Sequence, residues 1–501
     1  MEIIINQVSF NLPCKAYVVD YSVSQKRQLP VVKEFVVRLL YSVGPCKPKL
    51  LSDFYGFNLD ELTYVLNDLA EERLIEWNDE SVVLTKYAQE KFEEIPGGKI
   101  VPRFFEIEDE IKSVLFDHYS FKVLYSSFKP KSRNPLGIDI PLPDGSHSNI
   151  KERVKSSFDE QFSLYQEKVQ NIDIYRDCPE LYKINHITTN YDAILPIEVS
   201  YSIHTDNPRN IILKYNNEDI DEWDAQHVLF KAMDEALSGK ECNSDDQAKG
   251  FSDYLQLTSD PFITRYWSSS NGMDIDTLIN NYAIDQNIWD SKSTRMLVGN
   301  IYTKQNCSII TQMIEQKRKD INFDNKITEN GAIWITEPDR KTWGRSNEFV
   351  SFVSKINERF DQRKKSTGIA MIMPCASKQE AWELDAYSFA TNKNIKIQGV
   401  NEVFVSQRIE IFFIPKVIMV VLFHYEIPGN SKLTLPIGFI TTNSEKMIKV
   451  NSEIKTWVNS KNIVNTFFEP NNRDQNNTVL DSIIRPTLEI LDEEKGGIHE
   501  S

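Results

Sequence analysis

The chain has 501 residues, of which 41% are hydrophobic and 26% charged, with a formal net charge of −16. That length calls for about two to four domains, and the composition supplies real cores and excludes wholesale disorder. The acidic balance excludes a surface coated for nucleic acid, though it leaves room for a local basic groove.

Residues 1–25 read as one or two short strands, at 2–5 and 16–19. A helix is expected from Pro30, where Val32, Phe35, Val36, Leu39, Leu40 and Val43 recur at helical spacing until Gly44. Pro48 opens a short second helix with Leu50, Leu51 and Phe54. Asn58 can cap a third, with Glu61 as its reciprocal partner and Leu62, Val65, Leu66 and Leu69 as its apolar face. The alternation in residues 73–77 and 81–85, around the polar turn Asn78-Asp79-Glu80, predicts a hairpin. A last helix is expected over 86–94, closed by Pro96-Gly97-Gly98.

In element order and length, residues 29–95 resemble the winged helix-turn-helix family. The resemblance implies a recognition helix over 58–74. That segment carries Asp60, Glu61, Asp68, Glu71 and Glu72 against Arg73, a net of −4. Phosphates repel such a surface, and base readout in the major groove normally uses Arg, Lys, Asn or Gln. Asn58, Thr63, Tyr64 and Asn67 stay open as base contacts. Docking of a protein partner through Asp60, Glu61 and Asp68 is the expected role.

Residues 99–245 read as a mixed α/β middle region, with strands at 114–116, 194–203 and 211–214, a long loop over 129–149 and a helix over 156–169. The polar run 239–250 is the expected boundary, followed by a helical linker over 246–300. From 301 to 460 strands and helices alternate: strands at 332–336 and 368–373, a helix capped by Ser346 or Asn347, and a helix with Ser377 and Glu380 as its capping box. Strands at 395–400, 408–413, 416–423 and 434–441 follow, then a helix near 453–458. This order implies a three-layer α/β domain. Residues 461–501 read as an Asn-rich, then acidic extension. The expected fold class is therefore multi-domain α/β: a winged helix (1–98), a mixed α/β middle region and a C-terminal three-layer α/β domain.

The order of elements over 300–460 resembles one phospholipase D-like domain. Members of that family occur in prokaryotic DNA-processing and anti-phage systems, sometimes beside winged helices. The resemblance implies a strand with a His-x-Lys pair, the histidine attacking a phosphodiester and the lysine binding phosphate. The matching stretch is residues 412–417, where Lys416 fits the lysine but Ile414 stands at the nucleophile's place. A Gly-Ser-x-x-Asn element finds only a loose counterpart, from Gly438 to Asn443. Activity by that mechanism is not expected.

No phosphate loop, His-Glu-x-x-His, Gly-x-Ser-x-Gly or Cys-x-x-Cys is present, so no catalytic residue, cofactor or metal site is assigned. Two Glu-x-Lys triplets, at Glu110 and Glu453, are expected on solvated helix faces, and His186, His204 and His227 lack ligand spacing. Cys14, Cys46, Cys178, Cys242, Cys307 and Cys375 lie far apart and are expected to be reduced core thiols. The longest apolar run, 417–423, is far short of the ~20 residues that span a bilayer, and the N-terminus lacks a signal-peptide pattern. A cytoplasmic protein without membrane contact is the expectation.

One basic stretch remains. Lys317, Arg318 and Lys319 precede Arg340, Lys341, Trp343 and Arg345, and Arg359, Arg363, Lys364 and Lys365 follow. Basic residues beside exposed aromatics suit single-stranded nucleic acid, and Arg340, Lys341, Trp343, Arg345 and Lys416 are the candidate contacts. Acidic neighbours favour the plainer reading, a solvated helix face. The same residues allow Trp343 to pack on Phe349 as a local lid. The expected function is a non-catalytic binding or assembly subunit of a multi-protein prokaryotic system acting on nucleic acid, with anti-phage defence as its setting. Candidate partners are other protein subunits (an ATPase or helicase among them), nucleic acid, and a second copy of the chain. The alternatives are a nuclease with an unrecognised active site and a winged-helix transcriptional regulator.

Overall fold

A computed structural model describes residues 1–27, 29–95, 99–124, 133–142, 149–172, 179–215, 226–237, 244–260, 262–268, 272–284, 293–320, 331–336, 341–360, 368–375, 384–405, 408–427, 433–460 and 479–491. The protein is mixed α/β, built on two large sheets.

The first sheet rests on one unusually long strand, β1 (Glu2–Arg27). The two short strands expected there are one, because β1 is paired along both edges. One edge pairs antiparallel with β8 (Glu180–His204), the other with β6 (Phe104–Asp117) over residues 14–27. The strand order is β6-β1-β8-β9, with β9 (Asn207–Tyr215) at one edge and β7 (Ile138–Asp139) joining β1. Tyr17, Val19, Tyr21 and Val23 point to one face and pack under α5 (Ile150–Glu160) and α6 (Phe162–Lys168). The single helix expected over 156–169 is thus two, broken at Gln161.

Between β1 and β6 the chain makes a separate helical module. Its helices are α1 (Val31–Val43), α2 (Pro48–Tyr55) and α3 (Leu59–Glu71), followed by the hairpin β2 (Ile75–Asn78) and β3 (Ser81–Leu84). Leu40, Leu51, Leu62, Leu66 and Val82 form its own core. The helix expected over 86–94 is only one turn, α4 (Lys86–Gln89). The chain then forms a hairpin of β4 (Phe92–Ile95) and β5 (Lys99–Pro102). Phe92 stacks on Tyr41 of α1 at 3.8 Å, and Arg103 pairs with Glu93 at 3.1 Å, contacts that a continued helix would forgo. Residues 2–27 therefore belong to the middle sheet, and the module is an insertion in it.

A short hairpin of β10 (Trp267–Ser268) and β11 (Gly272–Met273) precedes the second sheet, which has seven strands in the order β12-β18-β17-β16-β13-β14-β15. These are β12 (Thr294–Val298), β13 (Ala332–Ile335), β14 (Ile369–Pro374), β15 (Ile395–Val400), β16 (Ile409–Ile414), β17 (Ile418–Glu426) and β18 (Thr434–Thr441). Strands β13, β14 and β15 run parallel, and the others pair antiparallel. Their runs are mostly apolar because both faces are covered. The helices expected in 246–300 belong to this core. Residues 226–237 give α7 (Gln226–Ala236), followed by α8 (Ser244–Thr258) and α9 (Ile275–Ile284); Phe251, Tyr254 and Leu278 pack under the sheet. They are not a linker, and Gly250, placed in the expected boundary, lies inside α8.

Helices α10 (Lys304–Asp320), α11 (Asn347–Asn357) and α12 (Asp385–Ala390) cover the opposite face. Ser346 caps α11, its hydroxyl accepting from Phe349 N at 3.2 Å. Ser377 and Glu380 lie outside the described residues. Helix α13 (Ser444–Val458) returns to the first face. A π-helical turn (Leu480–Ile484) leads into α14 (Arg485–Glu489); the turn buries Ile483 and Ile484 there, and α14 buries Leu488. Part of the expected extension is core. Among the described residues, Cys14, Cys46, Cys307 and Cys375 are buried, and no helix is long and apolar enough to cross a membrane.

Candidate docking face and a buried polar cluster

The module presents α3 as its most acidic element. Asn58 Oδ1 accepts from Glu61 N at 2.8 Å, and Glu61 Oε2 accepts from Asn58 N at 3.0 Å, a reciprocal cap that starts the helix. Leu62, Leu66 and Leu69 turn inward, which leaves Asp60, Thr63, Tyr64, Asn67 and Glu71 as the outward stripe. The three expected docking carboxylates therefore differ. Asp60 is free to face a partner, whereas Glu61 is exposed but holds the cap. Asp68 is half-buried on Lys33 at 2.6 Å, so it is an internal ion pair and not a docking charge. Glu72 joins the same lysine at 2.8 Å and Arg27 at 3.1 Å. Burial opposes the charge of Lys33, but the hydrogen bonds to Asp68 and Glu72 hold its amine above the usual range.

Apolar exposure is concentrated on the same module. Of the 23 large hydrophobic side chains exposed among the described residues, eleven fall in residues 31–87. Val31, Phe54, Leu59 and Tyr64 are each 66% exposed or more. Scattered single exposures are ordinary, and it is contiguous apolar patches that mark interaction surfaces.

The loop between β13 and α11 is quite different from the sequence expectation. Arg340 lies outside the described residues. Trp343 is 1% exposed, against Trp334 at 5.2 Å, Phe349 at 5.5 Å, Tyr302 at 6.1 Å and Tyr387 at 6.1 Å. It offers no face to a base, because packing on Phe349 consumes it. Arg345 is half-buried: its carbonyl accepts from Ser9 N, and its guanidinium reaches the Leu136 carbonyl at 3.4 Å. Thr342 O accepts from Asn6 Nδ2 at 3.3 Å. Of the two described basic residues in this loop, Lys341 is the exposed one. The loop meets β1 at Asn6 and Ser9, on the edge that β6 leaves uncovered and beside β7, and so helps join the two sheets. Downstream, Arg359 pairs with Glu315 at 3.3 Å, tying α11 to α10.

Lys416 is also displaced from its expected setting. Pro415 and Lys416 form the tight turn between β16 and β17, Lys416 with φ 64° and Val417 N donating to Ile414 O at 3.1 Å. Ile414 and Lys416 thus do not share a strand, as a His-x-Lys pair requires, and Ile414 is fully buried. Gly438 sits within β18, where the Val421 carbonyl of β17 leaves no room for a Cβ. Asn443 caps α13, accepting from Lys446 N at 3.0 Å. The Glu110 triplet lies on strand β6 and not on a helix, with Glu110 accepting from the Tyr21 hydroxyl at 2.8 Å; the Glu453 triplet lies on α13.

One cluster was missed in the sequence. Glu410 on β16 and His424 on β17 are each 1% exposed, with His424 Nε2 and Glu410 Oε2 at 2.7 Å. Glu410 Oε1 accepts from Trp334 Nε1 at 2.9 Å, and His424 Nδ1 meets Thr434 Oγ1 at 3.0 Å. Arg408 donates to the His424 carbonyl at 3.2 Å and pairs with Glu426 at 3.3 Å. The cluster lies toward the carboxyl end of β13, the end at which open α/β sheets commonly bind ligands. Both imidazole nitrogens and both carboxylate oxygens have protein partners, so the cluster is a closed network with no free nucleophile. The signal available in sequence was an ionisable residue at an inward position of two otherwise apolar runs, 409–414 and 418–425.

A cleft of about 730 Å³ lies beside α5, lined by Lys122, Asn149, Glu152, Arg153 and Glu160 among others. Its charges are mixed, and Arg153 stacks over the Phe121 ring at 4.1 Å. Among the described residues no group of His, Cys, Asp and Glu could hold a metal ion.

No protein-family model matches the chain, and no curated protein matches it significantly. One similar solved structure is that of TrmBL2, an archaeal chromatin protein reported to show a novel mode of DNA binding. It is 8% identical, with a TM-score of 0.19, over 36% of this chain and 59% of that one. The match thus spans less than two thirds of that protein, and likeness at this level carries no argument for this chain's function.

Proposed function

We propose that the chain is a non-catalytic binding or assembly subunit of a multi-protein prokaryotic system acting on nucleic acid, anti-phage defence being the setting we favour. In this reading the inserted module is a winged helix used for docking proteins, and the seven-stranded sheet is a phospholipase D-like domain without its nucleophile. The observation that carries it is the module's surface, where eleven large hydrophobic residues are exposed and the outward stripe of α3 has carboxylates and no base. Desolvating apolar side chains drives protein association, whereas a DNA contact needs cations on that stripe. The buried Ile414 supports the absence of phosphodiesterase chemistry.

The test is co-expression of the full chain with the products of its neighbouring genes, followed by the native mass of the purified species. A defined hetero-complex is expected, and the isolated chain should not cleave DNA with or without a divalent metal.

A further inference from the structure

We infer that the corner where α1, α2 and α3 of the module meet seats a basic protein segment that anchors itself by apolar side chains. This rests on the assembly reading and names the chemistry of the partner. The Tyr55 hydroxyl donates to the Phe35 carbonyl at 2.7 Å, bringing the end of α2 against α1. Tyr55 also contacts Phe54 at 4.9 Å and stacks on Phe57 at 5.5 Å, two residues before Leu59 opens α3. Phe35, Phe54 and Leu59 are 51%, 66% and 72% exposed, so this connected corner is open to solvent.

Its rim is acidic. Asp53 is exposed beside Phe54 and Asp60 follows Leu59; Glu71, about 18 Å beyond Leu59 along α3, extends the acidic stripe away from the corner. Across residues 29–95, thirteen acidic side chains face seven basic ones, a net of −6. That charge selects the occupant. A second copy would set acid against acid, on a chain already at −16. DNA would be repelled for the same reason, and it offers no apolar side chains to fill the corner. A segment with apolar anchors at helical spacing, flanked by Lys or Arg, satisfies both the exposed rings and the carboxylates.

The test uses the full chain and a fluorescent amphipathic peptide of Leu and Lys, read by anisotropy, with a Leu and Glu peptide of the same pattern as control. The Lys peptide should bind and the Glu peptide should not. F54S/L59S should weaken binding about tenfold or more, as truncation of central apolar anchors does. D60K/E71K should weaken it similarly, while E108K/E180K, an equal change of charge on the strands β6 and β8, should not. Equal weakening by the two reversals, no binding of the Lys peptide, or equal binding of the Glu peptide would overturn the inference. So would a homodimer in light scattering that F54S/L59S abolishes. If the co-expressed hetero-complex forms and survives F54S/L59S, the corner is not its seat, yet the assembly reading stands.

Discussion

Trp343 is a residue whose environment decides its role. Its indole is fully enclosed by Trp334, Tyr302, Phe349 and Tyr387, at the point where the β13–α11 loop reaches β1. Trp343→Ala should cost about 3–5 kcal/mol, the range for removing a buried Trp, measured by chemical denaturation. Glu410 and His424 pose a different question, because a buried pair need not be net stabilising. Removing one partner strands the other and costs about 3–5 kcal/mol, whereas an apolar replacement of both is often neutral. Glu410→Leu with His424→Leu should therefore be less destabilising than Glu410→Leu alone, and a double-mutant cycle on stability checks it. Glu348, at the start of α11, is held above the usual carboxylate range by burial and by the nearby Glu198. Folding then takes up a proton between the ordinary glutamate value and the raised one. Stability should fall as pH rises through that window, and Glu348→Gln should flatten the fall in unfolding curves across pH.

Elements were legible in the sequence where their signals are local. The capping box at Asn58 and Glu61, Pro48 at the head of α2 and Gly44 beyond α1 each fix a boundary by a contact within four residues. The box makes a measurable claim: Asn58→Ala should cost about 1 kcal/mol in thermal unfolding of the module, and leave the Leu62, Leu66 and Leu69 face intact. Signals that are long-range were not legible. β1 looked like two strands because its continuity comes from β8, about 180 residues later, where Lys15 pairs with Asp192 at 3.0 Å. The helix expected over 86–94 failed for the same reason, since Tyr41 on α1 sets the position of Phe92. At the candidate sites, charge runs were visible, but sequence gave no sign of which charges are spent. Asp68 is taken by Lys33 and the Arg345 guanidinium by the Leu136 carbonyl.

In the whole molecule, the module is carried out from the body of the protein on the paired ends of β1 and β6. The body itself is joined by the Asn6–Thr342 and Ser9–Arg345 contacts across the two sheets. A module inserted at the end of a long paired strand can present its corner to a partner while the seven-stranded sheet stays closed. Its acidic helix should meet protein and not DNA. The most direct measurement is a titration of labelled duplex DNA, at two salt concentrations, with wild type and with D60K/E71K. Weak binding by wild type is expected, with equal or tighter binding by the reversal, since two carboxylates that repel phosphate become lysines. Tight, salt-dependent binding by wild type that D60K/E71K abolishes would contradict a protein-docking role for this face.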